Sequence, residues 1–228
     1  MTAFAINLPV IRLLVVKDWQ LFEKQLAAYV AAGIVALCFL GHAQSWSFYV
    51  GSLLLMIVMV AAACFSISNS LLTERKEHTL PFVMSLPVSP LDFYVAKLVG
   101  SVVTFAVPFL VMALGAVGTI LFTPLPDGLV VLALLVFGHI LVAYSVSLGV
   151  AMAVESEGLN TFAMIASMVL LNPFIMLVGQ IPAIKDHVDG AAIVWSTEAV
   201  SILAAQVLVS AAAIAITGWV HCRKTAFY

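Results

Sequence analysis

The sequence predicts an all-α membrane protein, and three observations support this fold class. Hydrophobic residues make up 64% of the 228 residues and charged residues only 9%, with a mean hydropathy of +1.20. A soluble domain contains about 25% charged residues, so this chain has too few to cover a water-exposed surface. Apolar segments long enough for a bilayer crossing, which takes about 20 residues, recur six times. The connections between them are short, so we predict six transmembrane helices in one membrane domain, residues 1–228.

Residues 1–25 are predicted to form an amphipathic helix that lies in the headgroup plane. Apolar residues such as Phe4, Leu8 and Ile11 recur every three or four positions, and charged residues such as Arg12 and Lys17 interrupt them. The alternative is a solvated segment that leads into the first span. No long apolar run precedes these charges, so this segment is not predicted to be a cleavable signal peptide.

The six predicted spans are apolar segments within three parts of the chain, residues 26–73, 93–178 and 197–228. Their approximate bounds are Leu26–Leu40, Gly51–Leu72, Tyr94–Phe122, Leu129–Val154, Leu159–Val178 and Thr197–Val220. Pro108 and Pro173 lie inside spans, where we expect a kink rather than a helix end, because neighbouring helices can satisfy the freed carbonyl.

The distribution of lysine and arginine predicts the topology. With six spans both termini face the same side, and eight of the nine basic residues fall on that side, while Lys185 falls on the other. The eight are Arg12, Lys17, Lys24, Arg75, Lys76, Lys97, Arg223 and Lys224. Because cytoplasmic loops carry the excess of Lys and Arg, both termini are predicted to be cytoplasmic.

The predicted external segment 179–196 is longer than the other external connections. Polar residues such as Lys185 and Asp186 alternate there with apolar residues such as Ile181 and Ile184. One or two short helices dipping into the outer interface would explain this pattern, and a plain loop is equally consistent with it.

The segment 74–92 is the most informative part of the chain. Four consecutive charged residues, 74–77, leave the membrane and are followed by an apolar group and then by Pro87 and Pro90. This pattern predicts a short amphipathic helix along the cytoplasmic surface, which begins or bends near Pro81. Such an element offers a surface to a soluble partner.

This segment resembles the signature of ABC-2-type exporter permeases, which have the type V fold. The matching runs are Glu74-Arg75-Lys76-Glu77-x-Thr79-Leu80, Ser85-Leu86-Pro87-Val88-Ser89 and Ala96-Lys97. Separately, Lys17-Asp18-x-x-Leu21 resembles the start of small bacterial members of the family. In that family such a run forms the coupling helix between the second and third spans. His78 stands here in place of the usual glycine, and Pro90 stands where arginine is common.

The resemblance implies the permease subunit of an exporter in the bacterial inner membrane. Two such subunits, identical or related, would pair with two copies of a separate ATPase, which would bind ATP and Mg. The chain itself has no G-x-x-x-x-G-K-[ST] phosphate loop, so we do not expect it to be an enzyme. The implied ATPase contacts are Glu74, Arg75, Glu77, Thr79, Leu80, Phe82, Val83 and Leu86. Outside the family context, such a charge run is more often only a solvated surface.

Polar residues inside the spans are candidates for a substrate pathway, because burying them in lipid is costly. The candidates are His139, Tyr144, Asn172 and Gln206. The alternative for each is a hydrogen bond to a neighbouring helix. Small residues such as Gly149 also recur in the spans, and they indicate either close helix packing or a dimer interface. No Asp, Glu, Lys or Arg lies centrally in a span, which disfavours proton coupling.

Other function classes find little support in the sequence. No Cys/His group has metal-ligand spacing, and neither G-x-S-x-G nor H-E-x-x-H occurs. The net charge of −2 argues against nucleic-acid binding. The apolar spans favour a lipophilic or amphipathic substrate such as a peptide, antibiotic or lipid. A non-pumping scaffold or immunity protein and, less favoured, an ion-coupled carrier are the alternatives.

Overall fold

The computed structural model describes residues 7–42, 44–68, 90–154 and 156–223, and these residues form eight helices. They are α1 (Leu8–Gly41), α2 (Ser45–Ile67), α3 (Pro90–Phe122), α4 (Leu129–Ala153), α5 (Glu157–Val169), α6 (Leu171–Val178), α7 (Pro182–Val188) and α8 (Thr197–Arg223). Six stretches are long and apolar enough to cross a membrane, with α5 and α6 together forming the fifth. The predicted all-α class with six spans is therefore confirmed.

The first helix is longer than a membrane crossing requires. It continues for 34 residues, or about 51 Å, whereas the hydrocarbon core is about 30 Å thick. The charge pattern predicts a division of this region at residue 25, but the structure shows one helix without a break. Neither glycine nor proline occurs between Pro9 and Gly33, so no stop signal separates the charged first half from the apolar second half.

Helices α1 and α3 run parallel and side by side over most of their length. The Asp18 carboxylate meets Lys97 near the start of both helices. Further along, the Met112 side chain fills the space above Gly33, and Thr119 packs against Gly41. The paired residue numbers differ by 78 or 79 in each case, so the register is constant from one end of the seam to the other.

Helix α2 returns antiparallel to α1, and Gly51 allows the two backbones to approach closely. A Cβ atom built on Gly51 would lie 2.8 Å from the Leu40 Cα and 2.9 Å from the Ala36 carbonyl oxygen. These are backbone atoms of the last two turns of α1, so they cannot move aside as a flexible side chain could. The sequence requires glycine here for packing, not for an unusual backbone conformation.

We therefore predict that Gly51→Ala destabilises the protein by about 2 kcal/mol or more, since overpacking a well-packed contact typically costs about 1–3 kcal/mol. The matched control is Gly118→Ala on α3, where a Cβ atom would meet nothing within 4 Å. The control is expected to be neutral or stabilising by up to about 1 kcal/mol, because alanine favours helix more than glycine does. Thermal unfolding in detergent micelles compares the two variants, and equal effects would contradict the close-approach argument.

Helices α4 and α8 form a second parallel pair. Gly138 and Gly149 of α4 leave space that the side chains of Gln206 and Thr217 of α8 occupy. The two contacts lie three helical turns apart on both helices, so they share one register. Small residues on α4 thus allow close helix packing, one of the two predicted uses of small residues in this chain.

The two intramembrane prolines have different local effects. Helix α3 continues through Pro108, whereas the fifth span is interrupted at Leu170, between α5 and α6. Pro173 cannot donate a hydrogen bond to the Val169 carbonyl, and Val169 is the last residue of α5. Both spans continue past their prolines in the same apolar segment, as the sequence predicts.

The connections α1–α2, α3–α4 and α6–α8 lie at one end of the bundle. The Gly128 N–H donates a hydrogen bond of 3.0 Å to the Gly190 carbonyl, which joins the second connection to the third. Of the one or two short helices predicted in residues 179–196, the structure contains one, α7. A small apolar cluster that includes Leu135, Val178 and Ile184 attaches α7 to the bundle.

Candidate functional site: the helix ends that flank residues 69–89

The predicted contact segment for an ATPase joins α2 to α3. Residues 69–89 are outside the described part of the chain, and this range includes all eight predicted contacts, Glu74, Arg75, Glu77, Thr79, Leu80, Phe82, Val83 and Leu86. Their roles therefore stay predictions. The structure does describe the two helix ends that hold this segment, Ile67 of α2 and Pro90 of α3.

A buried polar cluster joins α2, α3 and α4 close to these helix ends. The Tyr144 hydroxyl donates a hydrogen bond of 2.7 Å to the Ser101 carbonyl, and the Ser66 hydroxyl donates one of 3.0 Å to the same oxygen. The Tyr144 ring also stacks on Phe105, with centroids 3.9 Å apart and an interplanar angle of 15°. Because Ser66 directly precedes the end of α2, this Ser66–Ser101–Tyr144 cluster anchors the α2 end to two neighbouring helices.

A buried ion pair joins α1 to the beginning of α3. The Lys97 ammonium lies 2.9 Å from the Asp18 carboxylate, and both side chains are less than 10% exposed. One helical turn or so earlier in α3, the Asp92 carboxylate accepts a hydrogen bond of 2.9 Å from the Asn7 N–H at the start of α1. The first residues of α3, which directly follow the predicted contact segment, are thereby connected to α1 by two polar contacts.

Both members of this ion pair occur in the sequence as parts of matched motifs. Lys97 belongs to the Ala96-Lys97 match and Asp18 to the Lys17-Asp18 match, and they were not expected to meet. The sequence does indicate that Lys97 needs an acidic partner, because it falls inside the predicted third span and a charged residue within an apolar span must be paired. The choice among possible acidic partners depends on the helix register, which the sequence alone does not provide.

The four candidate pathway residues lie in different surroundings. Tyr144 is buried in the polar cluster described above. Asn172 is exposed at the beginning of α6. The Gln206 amide donates a hydrogen bond of 3.0 Å to the Leu135 carbonyl of α4, and the His139 ring stacks on Phe174 with centroids 4.3 Å apart.

The Gln206 side chain of α8 packs against the turn of α4 that contains His139. The Gln206 side chain occupies the space beside Gly138, the residue that precedes His139. Among the described residues, neither His139 Nε2 nor Gln206 Oε1 has a hydrogen-bond partner, although both atoms are buried. Buried polar atoms without partners are costly, so these two carry hydrogen-bonding capacity that a bound molecule could use. The structure thus places Gln206 beside the neighbour of His139 and gives the Tyr144 hydroxyl a partner within the protein.

We predict that Tyr144→Phe lowers the free energy of unfolding by about 1 kcal/mol, because the Ser101 carbonyl loses one of its hydrogen bonds while the aromatic stack remains. Thermal unfolding in detergent measures this loss. The control is Tyr49→Phe, since Tyr49 is 71% exposed. An unchanged stability for Tyr144→Phe would contradict the structural importance of the cluster.

The described residues contain no group of three or more His, Cys, Asp or Glu side chains that could hold a metal ion.

Residues 20–214 match the family described as ABC-2 family transporter protein. No match was found among curated proteins or among solved structures. Proteins of this family are membrane components that do not hydrolyse ATP themselves. The matched range includes all six candidate spans in whole or in part and the connection between α2 and α3. The chain therefore belongs to the ABC-2 transporter family.

Proposed function

We propose that this chain is the permease subunit of an ATP-driven exporter in the bacterial inner membrane, with both termini in the cytoplasm. The observation that carries the proposal is the family match over residues 20–214 of a chain with six candidate spans. In this proposal the chain pairs with a second copy or a related permease. Two copies of a separate ATPase bind ATP and Mg and supply the energy.

The proposed route of energy transfer is the segment 74–92. The apolar group Leu80, Phe82, Val83 and Leu86 would enter a groove of the ATPase, and Glu74, Arg75 and Glu77 would pair with charges at its rim. The flanking structure supports this proposal, because the segment is held between α2 and α3. The Ser66–Ser101–Tyr144 cluster ties these helices to α4, and the Asp18–Lys97 pair ties α3 to α1. A displacement of the segment would therefore be transmitted to four helices.

The proposed substrate is lipophilic or amphipathic, such as a peptide, an antibiotic or a lipid. We place His139 and Gln206 on its path because each has a buried polar atom without a partner among the described residues. Exposed Asn172 is a further candidate, whereas the Tyr144 hydroxyl already binds within the protein. Substrate contact would satisfy the free hydrogen-bonding capacity of His139 and Gln206 during passage.

Reconstitution tests the proposed function. The chain is co-purified with the ATPase encoded beside it and placed in liposomes, and ATP hydrolysis is measured with and without the permease. We expect the permease to change the hydrolysis rate and to support ATP-dependent movement of substrate. A complex that never alters hydrolysis would favour the scaffold or immunity protein instead. Transport that a protonophore abolishes and ATP depletion does not affect would indicate an ion-coupled carrier.

A further inference from the structure

An apolar cavity of about 340 Å³ lies between α2, α3 and α4. Fourteen of its sixteen lining residues are aliphatic, phenylalanine or methionine, and the remaining two are Tyr49 and Ser52. Its inner wall is formed by buried residues that include Met59, Ala116 and Ile140. The Ser52 hydroxyl donates a hydrogen bond to the Tyr49 carbonyl of its own helix, so it is already satisfied. The surface that the cavity presents to an occupant is therefore almost entirely hydrocarbon.

The depth of the cavity corresponds to one leaflet of a bilayer. The lining extends from Phe48 to Met59 on α2 and from Leu129 to Ile140 on α4, which is about 17 Å along each helix. Half of the hydrocarbon core of a bilayer is about 15 Å. The cavity lies in the half of the bundle that carries the α1–α2 and α3–α4 connections, since both helix stretches begin there.

The end of the cavity nearest these connections has the character of a membrane interface. Trp46 and Tyr49, in the first turns of α2, are 59% and 71% exposed. The Trp46 indole N–H donates a hydrogen bond of 2.7 Å to the Gln44 side-chain oxygen. Trp and Tyr concentrate where the hydrocarbon core meets the headgroups. The mouth of the cavity thus lies at the depth of the lipid headgroups. Its inner end, at Met59 and Ile140, lies at the depth where the acyl chains end.

We infer that this cavity binds one acyl chain of a bilayer phospholipid. Water is a poor occupant, because a buried water needs two to four polar partners and the lining supplies almost none. An empty cavity would leave its lining atoms without contacts on one side. Ala133 and Val136 on its rim are partly exposed, so a chain can enter sideways from the surrounding lipid. The inference is independent of the transport function, and under the proposed topology the lipid belongs to the outer leaflet.

Photo-crosslinking in lipid vesicles tests this inference. The full chain is reconstituted in phosphatidylethanolamine and phosphatidylglycerol that contain a small fraction of phosphatidylethanolamine with a diazirine near the end of one acyl chain. Mass spectrometry then locates the label after illumination. We expect label on the buried residues Met59 and Ile140, in addition to label on Leu114, which is 70% exposed on α3 and does not line the cavity.

Two variants fill the cavity from different walls, Ala133→Phe on α4 and Ala116→Phe on α3. Each should reduce labelling of Met59 at least fivefold relative to Leu114. The control is Val146→Phe, on α4 but outside the lining, and it should leave the ratio unchanged. Two variants are used because Ala116 is buried and its replacement could impair folding, whereas Ala133 is partly exposed.

Three outcomes would overturn the inference. Met59 and Ile140 could remain unlabelled in the wild-type protein, as they would if a second copy of the chain covered the cavity. Labelling of Met59 could persist in folded Ala133→Phe at the wild-type ratio. A diazirine carried by the lipid headgroup could label Met59 as strongly as one near the chain end, which would show that no acyl chain extends along the cavity.

Discussion

Replacing both Phe82 and Leu86 with aspartate is expected to leave the chain inserted in the membrane but to abolish its coupling to the ATPase. Burying one large apolar side chain contributes about 1.5–3 kcal/mol, so the double variant loses about 3–6 kcal/mol of the proposed contact. Each 1.4 kcal/mol is a factor of ten in affinity, so binding should weaken at least 100-fold. Co-purification yield, stimulation of ATP hydrolysis and transport measure the effect.

The matched control is the apolar double variant Phe82→Leu and Leu86→Met, which preserves burial and should retain most of the coupling. Membrane insertion of each variant is checked by its yield in the membrane fraction. Both positions fall in the segment that joins α2 to α3, outside the described residues, so the experiment tests the motif directly. Normal complex yield and normal transport in the aspartate variant would rule out the role proposed for the coupling segment.

Breaking the ion pair between α1 and α3 is expected to have the second large effect. Lys97→Met would leave the Asp18 carboxylate buried without this partner, and removing one member of a buried pair costs about 3–5 kcal/mol. The double variant Asp18→Leu and Lys97→Met removes both charges and should recover most of the lost stability, because well-packed apolar residues can replace a buried pair. Thermal unfolding in detergent compares the single and double variants.

Lys24→Met is the control for this series, since Lys24 lies on the exposed side of α1. A surface substitution of this kind changes stability by no more than about 0.5 kcal/mol. The Asp18–Lys97 interpretation would be wrong if Lys97→Met behaved like Lys24→Met. It would also be wrong if the double variant were as unstable as the sum of the two single variants, because the two charges would then act independently.

The positions of the spans could be predicted from the sequence with good accuracy. The fourth span was predicted as Leu129–Val154 and is found as Leu129–Ala153, and the third, predicted to end at Phe122, ends there. The second was predicted to begin at Gly51, whereas α2 already begins at Ser45. Span positions are predictable because partition into lipid depends on local composition, and the polar residues near Ser45 obscured that signal.

The contacts between spans could not be predicted in this way. Ser66, Ser101 and Tyr144 are ordinary intramembrane polar residues in the sequence, and only the packing of three helices brings them to one carbonyl oxygen. Composition alone does not show which way a helix faces, so the contact of the pathway candidate Tyr144 with Ser101 could not be foreseen. The continuity of α1 was missed for a related reason, since a charged half-helix is stable against the bundle once Lys97 pairs with Asp18.

For this protein, the sequence by itself determined the membrane class, the six crossings and, through the motif at residues 74–97, the resemblance to the ABC-2 transporter family that the family match bears out. These features depend on local composition and short-range patterns. The tertiary structure alone decided that α1 and α3 form one parallel seam, that the Gln206 side chain packs beside Gly138 of α4, and that a leaflet-deep cavity lies between α2, α3 and α4. Those features depend on the rotation and register of helices, which are determined by side-chain packing between residues far apart in the chain.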